Sequence, residues 1–171
     1  MLLGSPENSP KPQATPKQIG LAFIDFIVKN GKPEIAPNEA LASLPERDQE
    51  IIRYETMLLI GRINEYVTWD LFRNKPEQNE ILTVYYSFID ALAQKDPAWH
   101  TFDTELRKRI PVYAAAVRDG LEKSQLEQVG WEFARFCGHA DDTLFQVTGT
   151  IAFATNYAAT LKFLSGLNVV A

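Results

Sequence analysis

Apolar residues recur along this chain at helical intervals. Between Pro45 and Arg73, the residues Ile51, Ile52, Leu58, Leu59, Ile63, Tyr66 and Trp69 fall on one broad stripe of a long helix. The next segment, to about Gln94, repeats the pattern with Ile81, Leu82, Tyr85, Phe88, Ile89 and Leu92 turned inward. No stretch alternates apolar and polar residues cleanly between turn signals, so no strand is expected.

Helix punctuation agrees with this periodicity. In "TPKQ", Thr15 is placed to cap a helix, with Pro16 at its first position and Gln18 reaching back to the cap. That helix stops at Asn30-Gly31, because glycine tolerates the left-handed backbone of a helix end. A linker with Pro33 and Pro37 follows, and Asn38 is placed to cap a brief turn. Ser43 and Glu46 in "SLPE" read as a capping box for the long helix. "NKPE" closes that helix, and Asp96-Pro97 starts another. Helical pattern continues from Asp103 to Lys123, where Pro111 predicts a kink or a break. "SQLE" is expected to cap a helix from Gln125 to Cys137, and Asp141 or Asp142 to cap the last.

The last helix is unusually apolar. Thr143 to Leu161 runs 19 residues without a charge, close to the length a bilayer requires. It also holds Gln146, Asn156 and five threonines, with no flanking basic cluster, which favours a buried helix over a membrane span. Leu144, Val147, Ile151, Ala154, Ala158 and Leu161 form one seam, while Phe145, Phe153, Tyr157, Phe163 and Leu167 lie on other faces. A helix apolar on several sides must be covered on several sides. It is either the central helix of the domain or a face that pairs with a second copy. Residues 1–15 carry prolines and serines without apolar periodicity and read as a flexible tail. The expected architecture is thus all-α: one domain over 16–171, a bundle of about six helices with a buried C-terminal helix.

Composition adds bounds. With 46% apolar and 23% charged residues, the 171-residue chain falls among globular proteins able to bury a core without staples. A net charge of −5 argues against a general polyanion binder. The only run of three basic residues, Arg107 to Arg109, sprays around a helix axis instead of forming a stripe, and reads as a solvated face. One cysteine forms no internal disulfide, and "MLLGSPENSP" lacks the basic start of a secretory signal, so a cytoplasmic setting is expected.

Two stretches offer candidate chemistry. "FCGHADD" gathers Cys137, His139, Asp141 and Asp142, the side-chain types of a metal site. Structural zinc usually needs a second cysteine or paired histidines, so Gly138 ending one helix and an aspartate capping the next account for the stretch better. In "DPAWHTFD", His100 lies three residues from Asp103 and four from Asp96, within reach of a carboxylate that would make it a base. The simpler reading has Trp99 and Phe102 anchoring a helix start. Asp25 and Asp90, each amid apolar neighbours, are either paired inside or on a wet edge; Asp90 reads as the wet edge. Glu-x-x-His pairs, metalloprotease spacing, glycine-rich phosphate loops and nucleophile elbows do not occur.

Three functions follow from this inventory. The first is a non-enzymatic adaptor, inhibitor or regulatory subunit that binds a protein partner or itself as a homodimer, because catalytic signatures are missing and "EYVTWDLF" and "WHTF" supply interface-type aromatics. The second is a small-molecule binder with a pocket lined by Tyr85, Tyr86, Trp131, Phe133 and Tyr157. The third is a hydrolase or metal-dependent enzyme drawing on His100, Cys137, His139 and nearby aspartates, which must then meet in space. Trp99, His100, Asp103, Cys137, His139 and Asp141 are the ligand-site candidates. No metal, cofactor, nucleic acid or membrane is expected as a partner.

Overall fold

The computed structural model describes residues 10–30, 39–118 and 121–170. Seven helices account for about four fifths of them: α1 (Pro16–Asn30), α2 (Glu39–Ala42), α3 (Glu46–Leu71), α4 (Pro76–Ala93), α5 (Pro97–Ala116), α6 (Lys123–Phe136) and α7 (Thr143–Ser165). Two short strands, β1 (Gln13–Ala14) and β2 (Asn168–Val169), pair in parallel. The fold is all-α, as the periodicity predicts.

Where capping chemistry is local, the expected boundaries form. The amide of Thr15 donates to Gln18 Oε1 at 2.8 Å, and Gln18's amide donates back to Thr15 Oγ1 at 3.3 Å. Asp96 accepts the Ala98 amide at 2.8 Å, and Asp142 accepts the Leu144 amide at 2.8 Å. Asn74, with φ of 63°, takes a left-handed position in the turn between α3 and α4, where the Lys75 amide donates to the Phe72 carbonyl at 2.9 Å.

Two expected boxes do not form. Ser43 ends α2 instead of opening α3, donating its hydroxyl to the Ala40 carbonyl at 2.8 Å, while Pro45 takes the cap position. Ser124 lies inside the first turn of α6, which starts at Lys123 rather than Gln125, and bonds Gln125 Oε1. The segment predicted to reach Lys123 ends as a helix at Ala116. Pro111 neither splits nor ends it, because that residue stands on the exposed side, where water can take the Arg107 carbonyl it leaves without a helix partner. Asn30 ends α1 as expected, whereas Gly31, Pro33, Pro37 and Asn38 lie outside the described residues.

The centre of the bundle is α3, packed by α7, α5, α1 and α4. Leu58 to Asn64 are buried without interruption, so this helix is covered all round at its middle. Arg62 bonds Glu65 through Nη1 but leaves its Nε buried without a partner among the described residues, whereas the neighbouring polar groups are met. Asn64 donates to the Phe23 carbonyl of α1 and accepts the Thr160 hydroxyl of α7, each at 3.3 Å, and Tyr85 of α4 donates to the Gly61 carbonyl at 3.2 Å. The outer end of the expected stripe, Trp69, is exposed instead.

The expectation of a buried C-terminal helix holds for one side only. Phe145, Thr148, Gly149, Ala152, Phe153, Thr160 and Leu164 of α7 are buried against α3 and α6. The middle of the expected seam faces outward, with Val147 49% and Ile151 50% exposed and Ala154 and Ala158 exposed beside them, while Leu144 and Leu161 at its ends are half-buried and Leu161 packs against the core. The tail is also partly tied down. The Asn168 amide donates to the Pro12 carbonyl and Val170's to that of Ala14, while Lys11 Nζ reaches the Ser165 carbonyl at 2.8 Å. Ala14 is buried, which gives these bonds an apolar anchor. The flexible-tail expectation for residues 1–9 lies outside the described residues.

Candidate functional site

"FCGHADD" is a helix-to-helix turn in the structure. Gly138 sits at φ 81°, its amide bonds the Arg135 carbonyl, and His139's amide bonds the Ala134 carbonyl at 2.8 Å. This pair of bonds is the Schellman ending, which uses glycine to satisfy the last carbonyls of a helix. The His139 ring stacks on Phe145 with centroids 4.0 Å apart and puts Nε2 3.4 Å from Asp48 Oδ1. Cys137 points into the core, and burial, followed by Glu55's charge, pushes its thiol well above the ordinary range. A neutral, buried thiol is a poor nucleophile and a poor ligand. Asp141 is exposed. Among the described residues no three His, Cys, Asp or Glu side chains gather around a metal position.

The other candidate cluster also separates. Trp99 packs edge-on against Phe102, centroids 5.1 Å apart. Asp103 accepts Arg107 Nε at 2.9 Å, so its carboxylate is committed to a guanidinium and not to His100, whose side chain is exposed. The two histidines do not meet. Glu55 of α3 faces Arg109 and Tyr113 of α5, while Gly61 faces Leu106, so the helices run antiparallel. His139, beside Asp48, therefore stands at the opposite end of this pair from His100 at the start of α5.

What the fold does assemble lies elsewhere. Glu55, 2% exposed, accepts Tyr113 Oη at 2.8 Å and Arg109 Nη2 at 3.1 Å. Arg109 also pairs with Glu105 and lies 4.2 Å over the Phe136 ring. Burial holds the Glu55 carboxyl above its ordinary value, with Arg109 and Tyr113 pulling it only partly back. The network lies inside the bundle, where the Glu55 side chain is 3% exposed and that of Arg109 11%, and it joins α3, α5 and α6. Sequence reading missed it because Glu55 and Arg109 lie 54 positions apart. Asp25 and Asp90 are both on wet edges, paired with Lys29 and Arg107.

The aromatic pocket expected for a small molecule is not assembled. Tyr85 and Phe133 are core residues without exposure, and Trp131 stands outside. A groove of about 290 Å³ does lie between α3 and α5, lined by Arg62, Glu65, Tyr66, Trp69, Asp70 and Arg73 among others. Its charges neutralise one another: Arg62 binds Glu65 at 2.5 Å and Arg73 stands 3.6 Å from Asp70.

The surface that stands apart is on α6 and α7. Among the described residues six large apolar side chains are exposed, and three of them, Trp131, Val147 and Ile151, adjoin here. Trp131 and Val147 line a shared shallow groove with Glu127, Gln128 and Thr150. Beyond Ile151, Ala154, Thr155 and Ala158 continue the exposed stripe. The comparable pair on α1, Leu21 and Val28, is interrupted by the exposed Asp25–Lys29 ion pair. The helices beneath the α7 stripe are locked closely together. A Cβ on Gly149 would meet Phe133 Cβ at 2.4 Å, and one on Gly130 would meet the Gln146 carbonyl oxygen at 2.3 Å. An exposed apolar face backed by closely packed helices is the kind of surface an interface uses.

Comparison with protein-family models, with curated proteins and with solved structures gives no match for this chain.

Proposed function

We propose that this is a non-enzymatic interaction protein, an adaptor, inhibitor or regulatory subunit, which binds a protein through the exposed face of α7 and the adjoining Trp131. The observation that carries this reading is the uncharged exposed stripe from Val147 to Ala158, with Val147 and Ile151 each about half exposed, on a helix whose opposite face is buried against α3 and α6. Leaving such side chains in water forgoes about 25 cal/mol for each Å² that a partner would cover. Trp131, 41% exposed at the edge, is the residue type that most often anchors such contacts. Support also comes from the separation of His100 from His139 and from the burial of the Cys137 thiol, which keep these candidate catalytic groups from meeting.

A photo-crosslinking residue installed at position 151 tests the reading. It is expected to yield a covalent protein adduct in the cells that express the chain, while the same residue at Thr83, exposed on α4, yields none. Equal capture at both positions, or none at 151, would sink the proposal.

A further inference from the structure

Resting on that reading, we infer that the occupant of the α7 face is a second copy of this chain, lying antiparallel across a twofold axis. The argument is the placement of charge. From Thr143 to Leu161 the helix carries none, and the one charged side chain lining the groove beside Val147 is Glu127 of α6. At the two ends of this uncharged run the charges are opposite: Asp141 and Asp142 precede it, and Lys162 follows. Lys162 follows Ile151 by 11 positions, three helical turns on, and therefore shares its face. All three charged side chains are exposed, and among the described residues neither Asp141 nor Lys162 forms an ion pair within its own chain.

Ala152 lies midway between Asp142 and Lys162. A twofold axis crossing α7 at that level sets each copy's Lys162 against the acidic end of the other, twice over, as an isologous contact demands. A parallel pairing would bring lysine to lysine and acid to acid. Ile151 and Thr155 then flank the axis, and the small side chains Ala154 and Ala158 let the helix axes approach to about 8 Å. The area sets the strength. A helix of 23 residues is about 34 Å long, and a stripe about 10 Å wide on it gives roughly 350 Å² per copy. A standard interface buries about 800 Å² per partner, so the dimer is weak, with a dissociation constant on the order of 10–100 µM.

Sedimentation equilibrium across two decades of concentration around that value reads the association directly. The wild-type chain is expected to dimerise, and Lys162→Glu to weaken the dimer about tenfold or more by setting acid against acid at both ends. Lys162→Glu mixed with Asp141→Lys is expected to form a mixed dimer more tightly than either variant pairs with itself. Both substitutions are at exposed positions, and circular dichroism checks that each variant folds as the wild type does. A wild-type dimer indifferent to both charge changes would overturn the antiparallel arrangement. A wild-type chain that stays monomeric while position 151 crosslinks another protein would overturn the second copy and leave the docking reading standing. Monomer by sedimentation with no adduct at 151 removes both.

Discussion

Arg109 is the last residue of a basic run that reads as solvated, and it is the one of the three that turns inward. Arg107 stays outside with Asp90 and Asp103, and Lys108 with Glu105, because successive positions on a helix point about 100° apart. Arg109 reaches the buried Glu55 instead. Removing one member of such a pair leaves a charge in the core without its counterion. Arg109→Met is therefore expected to lower the unfolding free energy by about 3–5 kcal/mol, measured by urea denaturation. Adding Glu55→Gln to that variant should recover most of the loss, since no unpaired charge then stays inside. At this scale the legible residues were those whose partners are neighbours in the chain: Thr15 with Gln18, Asp96, Asp142 and Gly138. Ser43 and Ser124 misled because each satisfies its hydroxyl elsewhere, on Ala40 and Gln125.

At the scale of the element, the helices were legible because their period is written in a dozen or more consecutive positions. Their packing distances were not. Only the fold identifies Phe133 as the neighbour that packs against Gly149. Helix propensity alone makes Gly149→Ala stabilising by up to about 1 kcal/mol. Overpacking wins here, because the new methyl would sit 2.4 Å from a carbon of α6 that backbone geometry fixes. A net loss of roughly 1–3 kcal/mol is expected in thermal or urea melts, from α6 and α7 being forced apart. Pro111 belongs to this scale as well. Whether a proline breaks a helix depends on whether water can reach the carbonyl it orphans, and burial, not sequence, decides that.

Across the whole molecule, the most apolar helix is not the central one. The centre is α3, which carries Glu55, Arg62 and Asn64 inside, because each finds a partner there: Arg109 and Tyr113, Glu65, and the Phe23 carbonyl with Thr160. One consequence is a pH dependence of the fold. The Glu55 carboxyl is raised above its ordinary 4.5, first by burial, so the folded chain holds that proton more tightly than the unfolded one. Its contribution to stability is complete below about 4.5 and is lost as pH rises through the raised folded value. Glu105 runs oppositely. Chiefly through its hydrogen bond from Lys108 it is lowered below 4.5, so its contribution is present above that value and is lost as pH falls through the lowered one. Glu55→Gln should remove the first trend and keep the second. The slope of unfolding free energy against pH just above 4.5 is then expected to be more positive than in the wild type, read from urea melts at closely spaced pH.

The chain by itself determined the helix content, most boundaries and the one-sided chemistry of each cap, because those depend on residues within one turn of each other. It also contained the uncharged run of α7 with an acid before it and a lysine after it. Tertiary structure decided what no local pattern encodes. It chose α3 as the axis of the bundle, joined Glu55 to Arg109, paired Gln13–Ala14 with Asn168–Val169, and parted His100 from His139. It also turned one of the apolar faces of α7 outward. Several faces of that helix were apolar enough to be buried, and which of them stayed in water was settled by where α3 and α6 could pack: against Gly149 and Phe153, with Val147 and Ile151 left outside.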